Sequence, residues 1–159
     1  MGGKVEKSEI LAFCRNVVEN SKFAYLTTIN ELGEPETRAM LNLYNRERYP
    51  ALQNILPFPP FEIFFTTNTS SEKMIQIEKN NKSCVYFVIE SDWHGIMLNG
   101  DIEIVTDENK KKEIWQDAWV MYYPGIDGFQ NPDYSILKLT AKYMKGWNGL
   151  EKLRYDFRK

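Results

Sequence analysis

The chain has 159 residues, of which 43% are hydrophobic and 26% charged, and its net charge at neutral pH is −2. A chain of this length buries about 70% of its unfolded surface in one domain, so it needs no disulfide or metal to fold. We expect a single domain over residues 1–159. The lack of a basic surplus argues against nucleic acid or an anionic membrane as a partner.

The cysteines, the histidine and the apolar runs exclude further classes of protein. Cys14 and Cys84 fall on a predicted helix and a predicted strand, which indicates a reduced, cytoplasmic compartment. His94 is the only histidine, and with the two cysteines it does not have zinc-ligand spacing, so we expect no metal site. The longest apolar run, residues 84–89, is too short to span a bilayer, and the N-terminus has no apolar signal segment.

The first predicted elements are an amphipathic helix and a hairpin. Apolar residues recur at helical spacing over residues 8–19, with Ser8 in the N-cap position. Residues 22–30 and 36–44 have strand character, and the turn ELGEP between them contains the Gly and Pro that typically end a strand. Residues 45–60 are rich in Pro and Arg without a clear period, so we expect a loop there.

The rest of the chain predicts four more strands and two more helices. Gly100 lies inside one of these strands, at a position typical of a bulge or barrel corner. Six strands with hairpin-like connections and interspersed helices predict an α+β fold, an antiparallel barrel with helices outside. The elements are a strand at 61–65, a short helix containing Met74, Ile75 and Ile77, strands at 83–90 and 96–106, a helix capped by Asp107 and stopped by Pro124, and a strand at 134–140.

The segment from Phe61 to Lys82 supports two interpretations. Seven of the eight residues from Thr66 to Lys73 are Thr, Ser, Asn or Lys, and a helix follows directly. A helix N-terminus preceded by hydroxyl groups attracts phosphate, and Lys73 in the first turn is disfavoured by the helix dipole unless an anion is held nearby. The spacing of Thr69 and Glu72 equally fits a capping box, which needs no ligand. Spacing alone leaves both interpretations open.

The sequence assigns no catalytic residue. A nucleophile and its base would need His94, which lies in a predicted turn, and no pair of carboxylates can be located. Neither a Walker-type lysine loop nor a GxGxxG motif is present. Chemistry supplied by a bound cofactor therefore stays open, because the polypeptide then needs only to bind and orient the cofactor.

Several short motifs, weak one by one, carry a resemblance through their order and spacing. They lie between about residues 20 and 147 and include TRAML at 37–41, IFFTTN at 63–68, SEKM at 71–74 and GDIEIV at 100–105. Together they resemble the pyridoxamine 5'-phosphate oxidase-like family of FMN-binding split barrels, in its general stress protein branch. The resemblance implies an α+β fold, a six-stranded antiparallel split β-barrel with peripheral helices, and FMN as the cofactor.

The resemblance also implies which residues bind FMN. Arg38, Ser71 and Lys73 match positions that hold the flavin phosphate; without the resemblance, Arg38 fits equally a strand residue paired with a carboxylate. The family forms homodimers with flavin at the subunit interface, where Trp147 and Trp93 of the other chain would complete a site. The remaining implied contacts are Ala39, Met40 and Leu41 along the edge of the isoalloxazine ring, and Thr66 and Thr67 below the ring and ribityl chain.

Three departures from the vitamin enzyme itself stand out. Pyridoxamine 5'-phosphate oxidases usually have Arg in place of Glu72 and Lys in place of Asn42 or Leu43. They also have an Arg-x-His after the late tryptophan, where this chain has Leu-Arg-Tyr at 153–155. We therefore predict that pyridoxine 5'-phosphate is not the substrate.

The resemblance leaves more than one class of function open. One is an FMN-dependent oxidoreductase that transfers hydride or electrons between a nicotinamide or small organic donor and an acceptor, with a small-molecule substrate. The alternative is a carrier or stress-related sensor that binds flavin, haem or a deazaflavin without turnover. Haem is less favoured because His94 is the only histidine. A cofactor-free structural dimer is the third interpretation.

Overall fold

The computed structural model describes residues 6–159, and within them no helix is long and apolar enough to cross a bilayer. Along Phe23–Ile29 every second residue is buried, as expected where one face of a sheet packs against a core. The helices are α1 (Lys7–Asn20), α2 (Glu72–Lys79) and α3 (Glu108–Ile114), and the strands are β1 (Phe23–Ile29), β2 (Pro35–Leu41), β3 (Glu62–Asn68), β4 (Lys82–Ile89), β5 (His94–Val105), β6 (Tyr134–Asn148) and β7 (Glu151–Asp156).

The six predicted strands form one curled antiparallel sheet, in the order β2-β1-β4-β5-β6-β3. The prediction of an α+β split β-barrel with peripheral helices is therefore confirmed. The structure adds β7, which pairs with the second half of β6. The predicted sixth strand, 134–140, covers only the half of β6 that pairs with β3, and the strand continues to Asn148 because β5 and β7 pair with the rest.

The first helix packs its apolar stripe against the sheet. Ile10, Cys14 and Val17 are buried on that face. The prediction of Ser8 as the N-cap is wrong by two residues, since the helix already begins at Lys7. Glu6 is the N-cap, and its backbone N–H donates to the side chain of Glu9 at 3.2 Å, which is one half of a capping box.

The predicted helix from Asp107 to Pro124 is not continuous. Asp107 caps it as expected, accepting bonds from two backbone N–H groups, but α3 ends at Ile114 and a separate 3₁₀ turn, Asp117–Met121, follows. Trp115 takes an extended ψ of 136°, and its ring packs 5.0 Å from that of Tyr134 on β6. Aromatic packing against the sheet outweighs helix propensity here, and it carries the next residues over the opening of the barrel.

Candidate functional site

The split of the barrel lies between β2 and β3, the two end strands of the sheet path. A cleft of about 230 Å³ occupies it. Among residues 6–159, β2 pairs only with β1. The backbone N–H and C=O groups that point away from β1 are therefore free to face a ligand. Six of the predicted cofactor residues line this cleft, namely Ala39, Met40, Leu41, Thr66, Thr67 and Lys73.

Lys73 lies at one end of the cleft among hydroxyl groups. Its Nζ donates to Thr67 Oγ1 at 2.9 Å and to Ser71 Oγ at 3.0 Å, so the structure brings these three predicted residues together. Within residues 6–159 no carboxylate forms an ion pair with Lys73. Burial lowers the pKa of Lys73, and the nearby positive charge of Arg38 lowers it further. A half-buried cation beside a second cation favours an anion.

Arg38 is not among the residues that line the cleft, and its side chain instead reaches from β2 across β1 to α2. Its Nη1 donates to Thr28 Oγ1 at 2.6 Å, and its Nη2 lies 3.7 Å from Glu36 Oε2. The simpler interpretation of Arg38, a strand residue paired with a carboxylate, thus holds in part, since Glu36 lies beside one end of the guanidinium. Burial lowers the pKa of Arg38, while Glu36 and Glu72 raise it. The Nε–H of Arg38 has no partner among the described residues, so one edge of the guanidinium is available to an anion.

The capping box that the spacing of Thr69 and Glu72 left open does not form. Helix α2 begins at Glu72, so Ser71 is the N-cap residue, and its side chain caps no backbone N–H. The Thr69 hydroxyl instead shares a hydrogen bond of 2.6 Å with Ser135 Oγ on β6. No side chain therefore caps the backbone N–H groups in the first turn of α2. The Ser71 hydroxyl instead accepts a hydrogen bond from Lys73 Nζ.

Asp133 holds the turn between β3 and α2 in place of the predicted box. Its carboxylate accepts bonds from Ser70 N–H at 2.8 Å and Asn68 Nδ2 at 2.7 Å, and its carbonyl accepts one from Thr69 N–H at 2.8 Å. These bonds lower the pKa of the Asp133 carboxyl group. Asp133 lies more than 60 residues further along the chain, so no local pattern indicates this role.

Replacing Asp133 by alanine should destabilise the protein by about 1 kcal/mol at neutral pH, because two donors of the turn lose a charged acceptor. The pKa of this carboxyl group is lowered on folding, so its contribution is present above its usual value of 3.8 and is lost as the pH falls below it. Urea unfolding at pH 7 and pH 3 measures this. The exposed Asp127→Ala serves as the control, and a deficit of Asp133→Ala that persists unchanged at pH 3 would contradict the assignment.

An aromatic wall completes the cleft, and the sequence did not predict it. Tyr122 and Tyr123 follow the 3₁₀ turn and line one side, and Phe23 at the start of β1 lines another. Tyr123 is buried, which raises the pKa of its hydroxyl to about 12, whereas Tyr122 is 42% exposed. Aromatic side chains arranged around a narrow cleft suit a flat ring system. Only the interruption of the predicted helix brings these two tyrosines here.

Trp147 is a predicted cofactor residue that the structure places in a different cleft. It lies on β6 in a second cleft of about 580 Å³, shared with Tyr86, Trp93 and Glu90. Its ring is edge-on to that of Tyr86, with centroids 6.2 Å apart. Trp93 is 80% exposed and has a left-handed backbone with φ of 54°. Within one chain Trp147 therefore does not join the β2–β3 cleft.

The residues of the β2–β3 cleft fit FMN chemically. Lys73 with the hydroxyl groups of Thr67 and Ser71 matches a phosphate ester, and Arg38 lies near enough to lower the pKa of Lys73. The free edge of β2 offers backbone donors and acceptors to a heterocycle, and the aromatic wall suits a planar ring. Among residues 6–159, no group of three or more His, Cys, Asp or Glu is arranged to hold a metal ion.

The protein is thus an antiparallel split barrel with a cationic cleft between β2 and β3. The family model described as pyridoxamine 5'-phosphate oxidase like matches residues 59–155. The chain belongs to this family, and the resemblance inferred from the motifs is confirmed.

Solved structures share the whole fold. A protein from Clostridium acetobutylicum, related to general stress protein 26 of B. subtilis, is 30% identical with a TM-score of 0.79, and the match covers 96% of this chain and 98% of that one. A pyridoxamine 5'-phosphate oxidase-related, FMN binding protein from Nostoc punctiforme is 15% identical, with a TM-score of 0.63 and coverage of 93% and 87%. A heme binding protein from Mycobacterium smegmatis is 13% identical, with a TM-score of 0.67 and coverage of 96% and 60%. A search of curated proteins gives no match.

Proposed function

We propose that this protein binds FMN in the β2–β3 cleft and acts as an oxidoreductase that transfers hydride or electrons between a nicotinamide or small organic donor and an acceptor. The observation that carries the proposal is Lys73, held by Thr67 and Ser71 beside Arg38 without a carboxylate partner of its own in the described chain. The FMN binding relative from Nostoc punctiforme, which shares the fold, supports the choice of cofactor.

Each part of the cleft has a distinct task in this proposal. Lys73 and Arg38 hold the phosphate through charge-assisted hydrogen bonds, each contributing about 1.5 to 3 kcal/mol. Residues 38–41, of which 39–41 line the cleft, would present backbone groups to the edge of the ring, and their N–H donors would stabilise negative charge there. The flavin supplies the redox chemistry when bound, so no acid or base of the protein is required.

We propose further that the functional unit is a homodimer. The β2–β3 cleft of about 230 Å³ is smaller than the roughly 300 Å³ at which binding sites for drug-sized molecules begin. The same chain exposes an aromatic cleft around Trp93 and Trp147 that has no covering within residues 6–159. Trp147 of the second chain, with Trp93 beside it, would close the flavin site.

Pyridoxine 5'-phosphate is not expected to be the substrate. Where the vitamin enzyme has Arg-x-His, this chain has Leu153, which is buried, and Arg154, whose guanidinium stacks 5.5 Å from the centre of the Tyr143 ring. Arg154 is thus occupied on the sheet surface by β6. Turnover of pyridoxine 5'-phosphate at a rate typical of good enzymes would contradict this prediction.

The visible spectrum of the purified protein, before and after addition of FMN, tests the function. We expect flavin bands that bleach when NADH, NADPH or another small donor is added without oxygen. Bands that no donor bleaches would indicate a carrier or sensor, and a colourless protein that binds no FMN would contradict the proposal. A Soret band would indicate haem, the less favoured cofactor because His94 is the only histidine of the sequence.

Replacing Trp93 by asparagine should weaken the dimer about tenfold, because exposed tryptophans are strong interface anchors. The monomer should lose no stability, since asparagine tolerates the left-handed backbone that Trp93 adopts. Sedimentation measures the first effect, and urea unfolding at a concentration where both proteins are monomeric measures the second. Leu32→Asn, at the exposed tip of the β1–β2 hairpin, is the matched control. A dimer of unchanged affinity would argue against this interface.

A further inference from the structure

Gln76 is a buried polar residue on the face of α2 that packs against the sheet. Only 4% of it is exposed, and its neighbours on that face, Met74 and Ile77, are apolar. A buried side-chain amide costs free energy unless its hydrogen bonds are made. Gln76 makes them with the β1–β2 hairpin: its Nε2 donates to Glu36 Oε2 at 2.7 Å, and its Oε1 accepts from Thr28 Oγ1 at 2.6 Å.

These bonds continue to Arg38 and close a ring. The Thr28 hydroxyl is fully buried and accepts from Arg38 Nη1 at 2.6 Å while donating to Gln76. Arg38 Nη2 lies 3.4 Å from Gln76 Oε1 and 3.7 Å from Glu36 Oε2. The hydrogen bond from Gln76 is also the largest cause of the lowered pKa of Glu36.

The ring joins the two elements that carry the cations of the site. Lys73 lies three residues before Gln76, about one turn along α2, and Arg38 lies on β2. The positive charge of Arg38 lowers the pKa of Lys73, so the two cations repel each other when no anion lies between them. Gln76 supplies a buried polar connection between α2 and the hairpin that opposes this repulsion.

We propose that Gln76 is a positioning residue that, through Thr28 and Glu36, holds Arg38 beside Lys73 so that both cations contact the same phosphate group. The inference rests on the proposed function, since the phosphate concerned is that of FMN. By holding the two cations together, Gln76 would make the protein bind a phosphorylated flavin more tightly than the same flavin without phosphate. Gln76 itself need not touch the ligand.

The test compares FMN with riboflavin, which has the same ring and no phosphate. Gln76→Met keeps the length of the side chain and removes its hydrogen bonds. We expect its affinity for FMN to fall about tenfold and its affinity for riboflavin to change less than about twofold. Quenching of flavin fluorescence on titration with protein measures both. An equal loss for the two flavins would overturn the positioning role, since it would reflect a general loss of structure.

A double-mutant comparison separates positioning from stability. If Gln76 acts through Arg38, Gln76→Met should cause no further loss of FMN affinity in the Arg38→Met background. The same loss in both backgrounds would overturn the inference. Thr28→Val interrupts the same ring of hydrogen bonds and should lower FMN affinity by a similar factor. Thr28→Ser keeps the hydroxyl and should bind FMN as the wild type does. This pair serves also if Gln76→Met fails to fold.

Failure of the inference is distinguishable from failure of the proposed function. If the wild-type protein binds neither FMN nor riboflavin, the proposed function is wrong and the inference falls with it. If the wild type binds FMN and both Gln76→Met and Thr28→Val bind it equally well, only the positioning role is overturned.

Discussion

Gly100→Ala should destabilise the protein by about 3 kcal/mol or more, the upper range for overpacking, because the new methyl group has no space. A Cβ at this position would overlap the carbonyl oxygen of Thr140 and lie 2.7 Å from its carbon. Both are backbone atoms of β6, paired with β5 on either side of the bulge, so they cannot move aside as a flexible side chain would. The strand would have to separate locally or the bulge would have to shift.

Urea unfolding of Gly100→Ala and of a matched control measures the effect. The control is Gly146, which lies in the neighbouring strand β6. A Cβ there would meet its nearest atom, Leu153 Cβ, at 3.4 Å, an ordinary contact. Gly146→Ala should therefore be neutral or slightly stabilising, by up to about 1 kcal/mol. If both alanine variants unfold at the same urea concentration, the close approach at Gly100 is not what requires glycine.

Gly100 illustrates why the barrel itself was predictable. A glycine inside a run of alternating apolar residues has few explanations other than a bulge or a close backbone approach, and both are present. Strand alternation and the five-residue hairpin connection are likewise local patterns, and the structure follows them. The break after Ile114 is not local, since it depends on how Trp115 packs against Tyr134, and helical spacing alone favoured a continuous helix.

The candidate site divides in the same way. Lys73 and its hydroxyl partners lie within a few residues of one another, so composition alone pointed to them. Asp133, Tyr123 and Gln76 reach the site across the fold, and nothing in their own neighbourhoods distinguishes them from ordinary turn, helix or core residues. Trp147 was selected only through the family resemblance, and one chain alone does not bring it to the cleft.

Lys73→Ala should weaken FMN binding about 5- to 150-fold, equivalent to about 1 to 3 kcal/mol for one charge-assisted contact with the phosphate. Riboflavin should bind the variant as it binds the wild type, because the lost contact is to the phosphate. The free protein should not lose stability: the substitution removes a half-buried cation whose pKa is lowered by burial and by the charge of Arg38. Lys73 would then contribute to ligand binding while lowering the stability of the free protein.

The controls come from the same helix. Lys79, in the last turn of α2, is exposed and pairs with Glu31 on the hairpin turn, so Lys79→Ala removes one positive charge without touching the cleft and should leave FMN affinity within about twofold. Lys73→Arg keeps the charge but not the compact fit between Thr67 and Ser71, and should fall between wild type and alanine. Fluorescence titration of each variant with FMN and riboflavin decides the matter. Unchanged FMN affinity in Lys73→Ala would remove Lys73 from the phosphate site, and a loss of similar size in Lys79→Ala would show that overall charge, not the local grip, governs binding.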